Sequence, residues 1–241
     1  LIFVIQKLTP MKRILLILLV LLTVFSCNTK KAGSMKVNVQ VKGLKKGTVY
    51  LQKVADTLMI TADSVVVNGT DTFTLSDDVT SPEMYYVTLM NSDKKILFFG
   101  EKGTINITTR LEKFGIDAKI SGSKTQKLLD QYKKMIKQFN DKQLDLIQLN
   151  FKAQKAKNKS QLDSIDRVSK NLIKRRYLYA TNFAVSHSKS EVAPYIALSD
   201  LYNANITLLD TINNSLSKNV KASKYGKQLA SFIADIKKEE E

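Results

Sequence analysis

The chain has 241 residues, with one cysteine, one histidine, no tryptophan and a formal charge of +16. A lone cysteine excludes an intrachain disulfide and any metal site built on cysteines. The length allows one or two domains. The strong basic balance raises a nucleic-acid function, but no nucleic-acid motif is present and the cations are scattered among acids and amides.

Residues 11–26 read MKRILLILLVLLTVFS, a basic start followed by a short apolar core and a small residue. The apolar core is well short of the ~20 residues a membrane-spanning helix needs, and the pattern is that of an export signal. With Cys27 directly after Ser26, it resembles a bacterial lipoprotein signal. That resemblance implies removal of 1–26 and lipidation of Cys27, and two or more acyl chains would make the anchor stable. Residues 1–10 precede the natural-looking start at Met11 and read as upstream read-through. Residues 27–34 then form a polar tether. Asn28 in place of Asp, and no acidic run after the cysteine, imply an outer-membrane anchor facing the periplasm. Loss of Lys7, Lys12 and Arg13 with the leader leaves a net charge of +13. An exported basic protein is suited to an anionic membrane or acidic glycans rather than to nucleic acid.

Residues 35–122 read as short strands, the pattern of an antiparallel β-sandwich. In MKVNVQVKG, Val37, Val39 and Val41 alternate with Lys36, Asn38 and Gln40, which marks a half-buried strand. The turn GLKKG at 43–47 predicts a first hairpin with TVYLQKV. LMITADSVVV and DTFTL flank Asn68-Gly69, a strong hairpin signal. MYYVTLM, KKILFFG, GTINITT and DAKISG follow, making eight or nine strands in all, with GEKG at 100–103 as another hairpin turn.

Residues 123–241 change to a helical period and predict a C-terminal α-helical region. Leu128, Tyr132, Met135 and Phe139 recur at three and four, and Leu144, Ile147 and Phe151 extend the stripe. KAQKAKNKS at 152–160 is a polar tip, and Ser160 is the expected cap of a second helix with Leu162, Ile165, Val168 and Leu172 on its inner face. Two long helices around a polar turn predict an antiparallel hairpin. Ser190 is expected to cap EVAPYIALSDLY, and two shorter helices are expected near 205–217 and 222–237.

Four features in order carry a family resemblance: the leader ending at Cys27, VKGLKKGTVYLQK with TADSVVVNGTDTFTL, KILFFGEKGTINIT running into ISGSKTQKLLDQY, and HSKSEVAPYIAL before SKYGKQL. The chain resembles the N-terminal β-domain and helical segment of thioredoxin-like (thiol–disulfide interchange) lipoproteins of Bacteroidota. Members of that family that act as oxidoreductases carry a thioredoxin domain with a CxxC, which this sequence lacks, so no redox role transfers to any residue here.

The residues themselves support no catalytic assignment, cofactor or metal. His187 lies among serines in a helix-breaking turn and is expected to be a surface or capping side chain. Asp77-Asp78 is expected to be a solvated turn, with too few oxygen ligands for calcium. The largest charge feature is Lys127 to Arg176, fourteen Lys or Arg against five Asp. Its candidate contacts for an anionic lipid, glycan or protein are Lys152, Lys155, Lys157 and Lys159 at the tip and Lys174, Arg175 and Arg176 further on. Asp-Ser/Thr-aliphatic triplets at Thr57, Ser64, Ser164 and Thr211 resemble the O-glycosylation sequon of Bacteroidota. The expectation is a lipid-anchored envelope binding or scaffold lipoprotein. The alternative is the accessory front part of a thiol–disulfide oxidoreductase whose thioredoxin domain is missing or separately encoded.

Overall fold

The computed structural model describes residues 33–239. The leader, Cys27 and the tether up to 32 lie outside the described residues. Eight strands come first: β1 (Met35–Lys42), β2 (Lys46–Ala55), β3 (Leu58–Asn68), β4 (Thr72–Asp77), β5 (Glu83–Leu89), β6 (Lys95–Gly100), β7 (Gly103–Arg110) and β8 (Lys119–Ser121). Helices follow: α1 (Lys124–Lys155), α2 (Lys159–Ser186), α3 (Val192–Asp200), α4 (Ile206–Ser215), the single turn α5 (Lys218–Lys221) and α6 (Lys224–Glu239). The change from strand to helix falls at Gly122. Its φ of +93° is left-handed, and a Cβ there would meet the Thr104 carbonyl oxygen at 2.2 Å, so only glycine fits this corner.

The strands form two four-stranded sheets, ordered β4-β1-β7-β8 and β3-β2-β5-β6. Their facing sides bury Val37, Val39 and Val41 against Val49, Leu51, Tyr85 and Phe98. One pair departs from the antiparallel expectation, because β1 runs parallel to β7. The expected hairpins at 43–47, Asn68-Gly69 and 100–103 are also corrected. β1 pairs with β4 and β7, and β2 pairs with β3 and β5, so each of these three turns carries the chain from one sheet to the other. Glycine marks the reversal of the chain, but burial decides which sheet the next strand joins. A tight hairpin does occur at Asp56-Thr57, where Ala55 pairs with Leu58.

The second sheet is covered on both faces at β5 and β6. Tyr85, Val87, Ile96 and Phe98 point into the sandwich, while Met84 and Phe99 belong to the helical core. Strands buried on both faces read as nearly continuous apolar runs, as MYYV and ILFF do. Hydrogen bonds tie the layers together. Gln126 accepts from the Phe99 N–H at 2.8 Å, and the Met84 N–H donates to the Tyr225 hydroxyl at 3.0 Å. Glu101 accepts from the Lys124 N–H at 2.5 Å and from the Thr125 hydroxyl, a carboxylate where the α1 dipole favours one.

Candidate functional site

The helical hairpin has two unlike halves. At its base, Leu129, Tyr132 and Ile136 of α1 pack with Ala180 and Ala184 of α2 in the helical core. Tyr132 stacks on Tyr179 with centroids 6.1 Å apart and donates to Asp200 at 2.6 Å. Burial, reinforced by Asp200, holds the Tyr132 hydroxyl well above its usual range, so it stays a donor. His187 ends α2, with Nδ1 2.8 Å from the Phe183 carbonyl oxygen and its ring stacked on Phe183.

Beyond Phe139 the hairpin changes. No side chain from 140 to 176 belongs to either core. Asn140 to Lys155 extends about 24 Å at a rise of roughly 1.5 Å per residue. The expected stripe is corrected here. Leu144, Ile147 and Phe151 are 58%, 43% and 62% exposed, and Val168 is also exposed. Ile165 and Leu172 are buried as expected, and the seam between the helices closes over them and Ala153. A small residue such as Ala153 lets two helices approach closely, and the 144/147/151 stripe is then left on an outer surface.

The tip is also shaped differently from the expectation. α1 runs on to Lys155, and its end is a Schellman motif: Asn158 N–H bonds to the Ala153 carbonyl and Lys157 N–H to the Gln154 carbonyl. Asn158, not Ser160, caps α2 by accepting from the Gln161 N–H at 3.0 Å. Lys157 takes the left-handed position at φ +51°, where glycine is usual. Lys152, Lys155, Lys157 and Lys159 are all exposed, and no acid lies between Asp145 and Asp163.

The second predicted basic group is separate. Fifteen helical steps of α2, about 22 Å, separate Lys159 from Lys174. Lys174 and Arg175 are exposed, but Arg176 is half-buried, and its Nε is buried without a hydrogen-bond partner. Thr57, Ser64, Ser164 and Thr211 are exposed, with Thr57 in the β2–β3 turn and the others inside strand β3 and helices α2 and α4. Cys27 lies outside the described residues.

A charge cluster at the sheet–helix seam was not legible in the sequence. Lys53 Nζ lies 2.5 Å from Asp77 and 3.7 Å from Glu83, and Lys224 Nζ lies 2.5 Å from Glu83. Tyr85 donates to Asp77 at 2.6 Å. Asp77 is therefore a paired residue at a strand end, not part of a solvated turn. Asp78 accepts from the Ser34 N–H at 2.9 Å. Each carboxylate in the cluster faces an ammonium, and burial with Asp77 keeps the Tyr85 hydroxyl protonated. Such compensation suits a clamp between layers and leaves no free base or nucleophile. Among the described residues, no group of three or more His, Cys, Asp or Glu could hold a metal ion, and no helix is long and apolar enough to cross a membrane.

No curated protein and no solved structure matches the chain. Residues 35–129 match the family model DUF4369, a domain of unknown function, a stretch that takes in the whole sandwich and the start of α1.

Proposed function

We propose that this is a non-catalytic binding or scaffold module of the cell envelope, anchored by lipid on Cys27 at the periplasmic face of the outer membrane, and that its hairpin docks on an anionic surface. The proposal includes the resemblance to the N-terminal part of thioredoxin-like lipoproteins. The carrying observation is the free distal half of the hairpin. It has an exposed apolar stripe at Leu144, Ile147 and Phe151 and an acid-free lysine tip. Lysines beside an apolar strip favour an anionic lipid or polymer, each worth about 1 kcal/mol near an anionic membrane. The same charge repels a second copy of the arm. Lys157 supports this reading, because it keeps a cation at a backbone position where glycine would be less strained.

The test uses a Cys27→Ser chain, so that no acyl group contributes, and flotation with phosphatidylglycerol and phosphatidylcholine vesicles. Binding to the anionic vesicles alone is expected, and it should fall with salt. Reversing Lys152, Lys155, Lys157 and Lys159 to Glu should abolish it without lowering the melting temperature. Equal binding before and after reversal would refute the docking role. Intact mass of the membrane-extracted protein tests the anchor separately.

A further inference from the structure

Where the base of the hairpin meets its arm lies a half-open cleft of about 230 Å³. Phe139 and Leu172 supply apolar wall, Tyr177 adds a ring, and Asn140, Gln143 and Arg176 supply the polar groups. Arg176 forms no ion pair or hydrogen bond among the described residues. Asp200 acts with Arg176 on Tyr132, and its Oδ2 accepts from the Tyr132 hydroxyl at 2.6 Å. A guanidinium offers five donors in a fixed planar fork. Leaving a buried donor unpaired is costly, and more so for a charged group.

We infer that the cleft is a binding site for a small amphiphilic anion, with a carboxylate seated on the Arg176 fork and a short apolar body against Phe139 and Leu172. Nε itself is buried out of solvent reach, so the carboxylate would be held by the outer N–H groups of the guanidinium, whose planar edge a carboxylate matches in a bidentate way. Side-chain amides at Asn140 and Gln143 could donate further hydrogen bonds without adding charge. The volume lies below the roughly 300–1,000 Å³ of drug-sized sites, which limits the ligand to a small molecule. The site is independent of the lysine tip, about 22 Å or more away along α2. Arg176 thereby leaves the surface docking group and takes a role of its own.

The arginine Nε–H gives its own proton–nitrogen resonance, so the site can be watched directly in the full chain. Sodium hexanoate should move the Arg176 signal saturably, while sodium chloride at equal ionic strength should not. Arg176→Lys keeps the charge but loses the fork, and should weaken hexanoate binding, followed there on the Asn140 and Gln143 side-chain amide signals, about tenfold or more. Gln143→Glu, which places a like charge at the cleft, should weaken it as well and serves if the Arg176 variant folds poorly. Reversal of the tip lysines should leave the hexanoate shift intact. No saturable shift, or unchanged affinity in both variants, would overturn the site. Inorganic phosphate binding as tightly as hexanoate would overturn the amphiphile and leave a simple anion site.

Discussion

The base and the arm of the hairpin are made of the same two helices and obey the same rules of periodicity, yet they have opposite fates. At the base, β5 and β6 and the helices α3, α4 and α6 supply a second wall, and Leu129, Tyr132 and Ile136 are nearly inaccessible. Toward the tip of the arm, each helix has only the other, and a pair of helices can bury one seam and no more. Apolar residues beyond that seam remain in water. An apolar stripe in a sequence therefore marks a surface that needs a partner, and only the packing around it says whether this chain supplies one.

The sharpest test of that contrast compares two phenylalanines. Phe99 is fully buried where the sheet meets the helices, edge-on to Tyr195 at 5.3 Å and to Tyr225 at 6.1 Å. Phe99→Ala is expected to cost about 3–5 kcal/mol in chemical denaturation. Phe151 is 62% exposed on the arm. Phe151→Ala should change stability by about 0.5 kcal/mol or less. A cost at Phe151 similar to that at Phe99 would mean the arm is covered in solution, and the free-arm argument would fail.

The same contrast limits what the sequence discloses. Alternation in MKVNVQVKG identifies the buried face of β1, because each strand residue lies on one side or the other of its own sheet. The turns at 43–47, 68–69 and 100–103 are legible as reversals. Their strand partners are not, since a reversal has the same chemistry whether it stays in a sheet or crosses to the other. The Phe98-Phe99 pair did hold a usable signal: adjacent large apolar residues in a strand put one on each face, so both faces had to be covered. The seam cluster had no such signal. Lys53, Glu83 and Lys224 are brought together by the docking of α6 on the sheet, and nothing local to any of them indicates it. The direction of Arg176 was hidden for a related reason. It sits in a basic run with Lys174 and Arg175, and the roughly 100° step between successive helical residues is what separates it from them.

Lys157 gives a smaller effect with two readouts of opposite sign. Its left-handed backbone strains a residue with a Cβ, so Lys157→Gly should stabilise the chain by about 1 kcal/mol, less the added freedom of the unfolded state. The same change removes one tip cation, which should weaken anionic-vesicle binding by about fivefold, the equivalent of about 1 kcal/mol. Gain in denaturation midpoint with loss in flotation would show that the tip gives up stability for charge. Gain in stability with unchanged flotation would leave the strained lysine without a role at the membrane surface.

The smallest effect returns to the base, where burial reaches a charge that the arm would leave in water. Glu191 precedes α3, and partial burial, with the negative charge of Glu101, raises its carboxyl above the ordinary carboxylate range. A raised acid is one that the folded chain protonates more readily than the unfolded chain does. Its contribution to stability is fully present below the unfolded value and is lost as pH rises through the folded one. At pH 7 the carboxylate is therefore a mild burden on the fold. Glu191→Gln should raise the melting temperature at pH 7 slightly, by less than about 1 kcal/mol of stability, since the half-exposed side chain is screened by solvent. The difference from the parent should close as pH falls toward about 4.3 and both side chains become neutral. A variant that is less stable at pH 7 would instead show that the α3 dipole favours the negative charge by more than burial and Glu101 oppose it. The base of the hairpin would then tolerate charge as freely as the arm.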